Sequence, residues 1–178
     1  MHLLDDLLLS TRAAAAAELA LLLPLLVLIM FGSMELGNLF LTQHALSKQV
    51  RDGARYASRL TIADDYACSG DPADVFADYD ETTVVNVTQR GTVDTSGSGR
   101  FNDNQWAQAC TGDSVDVAVR CVPKGTTYSG IYAELPGDIP VVSVSADIEY
   151  QPILASAIGF NNADICLTAN SEAAVIGL

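Results

Sequence analysis

Two kinds of residue in this 178-residue chain could do chemistry by their placement. The first is a carboxylate set in an apolar run. Glu18 follows five alanines and precedes Leu19, and the next 16 residues, 19–34, carry no charge. A charged side chain in a bilayer core costs about 2.5–3.5 kcal/mol even on lenient insertion scales. An α-amino group, positive at neutral pH, could compensate it; the side chain could equally reach back to the interface. Glu35 is the second such acid, near the far end of the run, where it either pairs with a partner helix or reaches the outer interface. The second kind of residue is the set Cys68, Cys110, Cys121 and Cys166. It contains no CxxC, and the two histidines, His2 and His44, lie outside the C-terminal part. Zinc ligands normally come in close pairs, so an even set of this kind points to two disulfides in an oxidising compartment.

No other chemistry is legible. The region after Leu60 has no histidine, no GxSxG, no phosphate-binding loop and no dinucleotide fingerprint, so general acid–base and nucleophilic partnerships lack members. The sequence predicts no enzyme, no cofactor and no metal. The acidic stretch Asp78-Tyr79-Asp80-Glu81 lacks the spacing and glycine of a calcium loop and reads as a solvated turn. Asn86-Val87-Thr88 fits an acceptor sequon but falls in an expected strand. Trp106, the one tryptophan, reads as core or surface contact.

These groups need a scaffold, and the apolar pattern supplies it. Residues 1–13 read as a short leader. Residues 14–41 are apolar apart from Glu18, Ser33, Glu35 and Asn38, and are long enough to span a bilayer core, for which about 20 helical residues suffice. Asp5 and Asp6 beside Arg12, with no A-x-A-like site after the run, argue against a cleaved secretory signal. Pro24 removes a ladder bond and predicts a kink or flexible point. Gly32 and Gly37 permit close helix approach without GxxxG spacing. Residues 42–60 continue as a helical stalk, with Leu46, Val50, Gly53, Ala57 and Leu60 recurring at three- and four-residue steps and Lys48, Arg51, Asp52, Arg55 and Arg59 on the other side. That stripe, with Gly53 and Ala54 small, suits packing against another helix or against the chain's own head. One rod of roughly 70 Å is expected at about 1.5 Å per residue.

Residues 61–178 read as an exported head. The chain's formal charge is −13; from Leu60 onward 17 acids face four bases, while residues 42–59 carry a net +3. An acidic head on a basic stalk excludes nucleic-acid binding by the head. The basic stalk would by charge alone favour the reverse membrane topology; the cysteines favour an exported head and outweigh it. A short helix is expected at 73–79, strands at 82–89, 114–122, 141–151 and 165–176, and loops at 91–104 and 124–140. The fold class is α+β: a long N-terminal transmembrane and stalk helix followed by a small antiparallel β-sheet domain. Four cysteines allow three pairings. Cys121 shares a strand face with Val115, Val117 and Val119, whereas Cys166 is flanked by Ile165 and Leu167 and faces the opposite way, so a cross-strand Cys121–Cys166 bond is awkward. An extended strand from Ser114 would also hold Cys110 away from Cys121. Elimination leaves Cys68–Cys121 with Cys110–Cys166.

Two resemblances bear on function. The segment Arg12 to Leu19, RAAAAAEL, resembles the processing site of type IV prepilins: a short polar leader, a small residue before the cut and Glu at the fifth mature position. Counted from Glu18, the resemblance puts Ala13 last in the leader and Ala14 first in the mature chain, with Ala13 where glycine is usual. Over residues 15–58 the chain resembles the TadE-like family of tight-adherence pilus systems, through Glu18, Leu23-Pro24-Leu25, Phe31-Gly32 followed by Glu35, and Arg51-Asp52-Gly53-Ala54-Arg55-Tyr56-Ala57. This resemblance implies a pseudopilin or minor pilin, cut by a dedicated prepilin peptidase and supporting assembly of a Flp-type adhesive pilus. It implies pilin subunits, other pilus-assembly proteins and membrane lipid as partners, with a single-pass location in a bacterial inner membrane and the head beyond it. Glu18 would then neutralise the N-terminal amine of its own or a neighbouring subunit and set axial register. The alternative is a single-pass anchor whose head binds an envelope ligand.

Overall fold

The computed structural model describes residues 11–60, 68, 81–107, 110, 114–124, 130–133, 137–154 and 165–176. They fall in two compact units, one drawn from Met1–Phe40 and Pro152–Asn161, the other from Leu41–Gln151 and Asn162–Leu178. The architecture is α+β. Helix α1 spans Thr11–Ala57 without interruption, and Pro24 sits inside it. Pro24 leaves the helix continuous, as the expected single rod requires: proline removes only one N–H from the ladder. After Ala57 the chain tightens into i→i−3 bonds, Arg59 N–H to the Tyr56 carbonyl (3.0 Å) and Leu60 N–H to that of Ala57 (3.2 Å).

In the first unit the apolar surface of α1 points outward. Leu21, Leu28 and Met34 are exposed, as are their apolar neighbours, and the helix is long and apolar enough to cross a membrane.

In the second unit three strands form an antiparallel sheet in sequence order: β1 (Val115–Val122), β2 (Ile139–Glu149) and β3 (Cys166–Ala174). The register runs Val115↔Ala146 to Val122↔Ile139, and Val141↔Ala174 to Glu149↔Cys166. The period-2 pattern puts Val115, Val117, Val142, Val144, Ala146, Ile148 and Leu167 on the buried face. The other face carries Asp116, Ser143, Ser145, Asn170 and Glu172, and across it Arg120 reaches Glu172 at 2.9 Å. The stalk portion of α1 belongs to this core. Leu46, Val50, Ala54 and Ala57 are fully or almost fully buried, while Lys48, Arg51, Asp52, Arg55 and Arg59 are exposed. The stripe therefore packs on the chain's own head, the second of the two alternatives. Two bonds set its direction along β3: Gln43 Nε2 donates to the Thr168 carbonyl (2.8 Å), and Ile176 N–H donates to that of Ser58 (2.8 Å). About 22 Å of helix between Gln43 and Ser58 thus matches about 26 Å of strand between Thr168 and Ile176. Tyr132 adds its hydroxyl to the Val175 carbonyl (2.9 Å), and burial pushes that phenol's pKa up.

One expected strand is a helix. Residues 82–89 lie in α2 (Glu81–Arg90), although Thr-Thr-Val-Val is β-favouring by side-chain branching. Tertiary burial of one face overrides that preference: Val84 and Thr88, one turn apart, are both fully buried, and the Thr88 hydroxyl is satisfied by the Val84 carbonyl at 2.8 Å. Glu81 and Arg90 complement the helix dipole, and Gly91 at φ 75° closes the helix with its N–H on the Val87 carbonyl (2.9 Å). The sequon Asn86-Val87-Thr88 is therefore helical. The expected loop at 91–104 runs into α3 (Asp103–Ala107), opened by Asn102 and Gln105 in a reciprocal cap: Gln105 N–H to Asn102 Oδ1 (2.9 Å) and Asn102 N–H to Gln105 Oε1 (3.1 Å). Arg90 joins the two helices by its pair with Asp103 at 2.9 Å. Trp106 is core, edge-on to Phe101 with centroids 5.6 Å apart. The helix expected at 73–79 lies outside the described residues.

Candidate functional site

The residues singled out by type and spacing separate into three places. The first is the start of α1. Ala13 and Ala14 lie in its opening turns, and Glu18 follows one turn after Ala14. Helical Cβ atoms tilt toward the N-terminus, so a carboxylate at position i overhangs i−4 and i−3. Glu18 thus leans over Ala14 and Ala15. Its side chain is exposed, and it has no hydrogen-bond or ion-pair partner among the described residues.

The second place is the far end of the apolar run. Glu35 is half-buried, and its carboxylate is occupied: Oε1 accepts from Ile153 N–H (3.1 Å) and Oε2 from Leu154 N–H (2.9 Å). Within its own chain, Glu35 is bonded to backbone from the β2–β3 connection. Sequence reasoning had no means to find this, because the partners are main-chain donors whose side chains, Ile153 and Leu154, advertise nothing polar. Gly32 and Gly37 lie on either side, and a Cβ at either would meet nothing within 4 Å. They make no close approach among the described residues, and their surface is left open there.

The third place is the head. Gly53, in the stripe of small residues suited to a close contact, makes that contact within the head: a Cβ on it would lie 2.0 Å from Thr88 Oγ1 and 3.1 Å from Thr88 Cβ. Both cysteine pairs reached by elimination are present. Cys68–Cys121 and Cys110–Cys166 have Cα separations of 5.8 and 6.0 Å, inside the range disulfides require. Cys121 sits at the β1 end opposite Pro140, and Cys166 opens β3 opposite Glu149. Cys110 N–H also donates to Asp147 Oδ2 (2.6 Å), so this staple is anchored to the central strand by a charge-assisted bond. Close packing extends to Cys68, whose carbonyl would be 2.8 Å from a Cβ on Gly137, a residue at φ 119°.

Chemically, the described residues offer no metal-binding group of three or more His, Cys, Asp or Glu side chains. Their largest conspicuous feature is a bare apolar helix surface bearing one unpartnered carboxylate. Residues 13–55 match the family model described as TadE-like protein, the family whose motifs the sequence resembles. The match lies wholly within α1 and includes Glu18, Glu35 and Gly53. No curated protein and no solved structure matches the chain.

Proposed function

We propose that this protein is a non-catalytic pseudopilin or minor pilin that supports assembly of a Flp-type tight-adherence pilus, anchored by residues 14–41 in a bacterial inner membrane with its head on the periplasmic side. The observation that carries this reading is Glu18, a carboxylate held in an apolar helix with no partner in its own chain among the described residues. Isolated charge in hydrocarbon is unfavourable by about 2.5–3.5 kcal/mol, so a residue in this position acts by meeting a cation supplied from elsewhere. Cleavage between Ala13 and Ala14 by a prepilin peptidase creates one: the new α-amino group sits one helical turn before Glu18, at the positive end of the helix dipole. The same acid can meet the amine of the next subunit and so fix the axial offset between neighbours. Pilin subunits and other Tad assembly proteins are the partners, with Pro24, Gly32 and Gly37 on the helix surface they would share. The family match over α1 supports a pilus-associated role. The disulfides support an exported head.

The test is the mature N-terminus. Mass mapping of the protein co-expressed with its prepilin peptidase should give Ala14 as the first residue. An N-terminus that stays at Met1 under those conditions removes the amine on which the proposal depends and leaves a plain single-pass anchor.

A further inference from the structure

The bond between Glu35 and the β2–β3 connection points to a second membrane contact. We infer that Pro152–Leu154 is held by Glu35 against the membrane helix so that Ile153 and Leu154 enter the bilayer interface beside it. This rests on the reading of α1 as a membrane span.

Three observations converge. The first is the carboxylate itself. Glu35 closes the uncharged run 19–34, where an ionised group is costly, and both of its oxygens take main-chain N–H donors, at 3.1 and 2.9 Å. Charge-assisted bonds of this kind are about twice as strong as neutral ones. They also satisfy the two amides, which backbone must achieve before it can leave water for a lipid environment. One interaction therefore removes two obstacles to membrane contact, the acid's and the loop's.

The second observation is the surface next to this clamp. Ile153, a large apolar side chain, is 55% exposed, and on the helix Met34 and Leu36 beside Glu35 are exposed as well. These side chains continue the apolar surface of the span, and lipid that covers the span covers them.

The third is charge. The chain carries no Asp, Glu, Lys or Arg between Glu149 and Asp164, in a head region whose net charge is −13. Anionic headgroups repel most of such a head. The uncharged connection beginning at Tyr150 is the part of it that a bilayer surface can accept, and Ile153 and Leu154 supply apolar side chains of the sort that anchor peripheral segments.

The experiment uses the full-length protein in lipid nanodiscs containing phospholipids brominated at shallow or deep acyl positions. Ile153→Trp and Leu28→Trp are compared with the wild type, in which Trp106 supplies the background signal. Ile153→Trp should be quenched by shallow bromines, and Leu28→Trp, in the middle of the span, by deep ones. Adding Glu35→Ala to Ile153→Trp should abolish most of the shallow quenching and open the site to a water-soluble quencher. Quenching of Leu28→Trp without quenching of Ile153→Trp overturns the inference while the span stands; an Ile153→Trp signal reached only from water does the same. Shallow quenching that persists unchanged with Glu35→Ala overturns the role given to Glu35. If neither tryptophan is quenched by lipid, the membrane span itself is wrong and the inference falls with it.

Discussion

Gly53 and Thr88 touch across the head at a distance that only hydrogen on Gly53 permits. A Cβ there would stand 2.0 Å from Thr88 Oγ1, and that hydroxyl is already committed to the Val84 carbonyl at 2.8 Å in a fully buried position. This contact lets the stalk of α1 lie directly on α2. Gly53→Ala gains about 1 kcal/mol of helix propensity but drives a methyl into Thr88, and overpacking of a tight core costs about 1–3 kcal/mol. Gly53→Val, whose branched side chain is harder to accommodate, should destabilise the head by the full overpacking cost. Thr88→Ala in the same chain should recover part of it, giving a non-zero coupling in a double-mutant cycle read by chemical unfolding of the full-length protein in detergent. Additive effects of the two substitutions would mean the contact is not where the structure puts it.

The two disulfides close loops of 53 and 56 residues in sequence separation. On the chain-entropy account a loop of that length is worth about 4 kcal/mol. Replacing both Cys110 and Cys166 by serine should lower the unfolding free energy by about that amount, with the buried Asp147 losing the fixed position of its Cys110 N–H donor. Non-reducing peptide mapping of the exported wild type checks the pairing first: peptides joining Cys68 to Cys121 and Cys110 to Cys166 are expected, and four free thiols would remove the basis of the prediction.

Gly91 gives a cleaner test of α2. Its φ is 75°, and a Cβ on it would meet nothing within 4 Å, so Gly91→Ala changes backbone energy and little else. A non-glycine residue in the left-handed region costs about 1–2 kcal/mol; Gly91→Asn, which tolerates that region, should cost distinctly less. Equal stability of the three proteins would argue that residues 82–89 are not a capped helix.

That helix also marks where sequence reading stops. The stalk stripe was legible because Leu46, Val50 and Ala57 keep a helical period over several turns, and the disulfide pairing was legible because strand parity puts Cys121 and Cys166 on opposite faces. Thr82 to Gln89 misled because four β-branched residues in a row carry a strong local preference, whereas the decisive signals were at the ends: Glu81 first, Arg90 last, Gly91 beyond. The Asn102-x-x-Gln105 cap was equally available and opened a helix at the end of an expected loop. Glu35 was different in kind. Its partners are amides 118 and 119 residues away, and no side-chain pattern encodes a main-chain donor.

Tyr132 makes head stability depend on alkaline pH. Its phenol donates to the Val175 carbonyl, a bond only the protonated form can make, and burial holds its folded pKa above the ordinary value of 10.0. In the unfolded chain the phenol ionises first, so the stabilisation is intact below about pH 10 and is lost as pH rises through the higher folded pKa. The stability difference between wild type and Tyr132→Phe should therefore be constant from neutral pH to about pH 9 and shrink above pH 10. Unfolding curves of the two proteins across that range read the difference directly; a gap that widened with pH would reverse the sign.

Glu18 separates assembly from insertion. If its function is to meet an amine, on its own trimmed chain or on a neighbour, the charge is what matters. Glu18→Gln, nearly identical in size, should then impair pilus assembly about as much as Glu18→Ala. Membrane insertion should move the other way, because deleting the charge removes an unfavourable contribution of about 2.5–3.5 kcal/mol from the span. Glu18→Asp keeps the charge one methylene shorter and should retain part of the activity. Counting surface pili alongside carbonate-resistant membrane protein in each strain measures both quantities. Wild-type pilus numbers with Glu18→Ala would sink the register role, and a parallel loss of insertion would show instead that the acid serves the entry of the helix into the bilayer. A strain in which Gln fails, Asp partly succeeds and all variants reach the membrane leaves only a charge contact made after insertion, between this carboxylate and a cation that the helix surface around it does not supply.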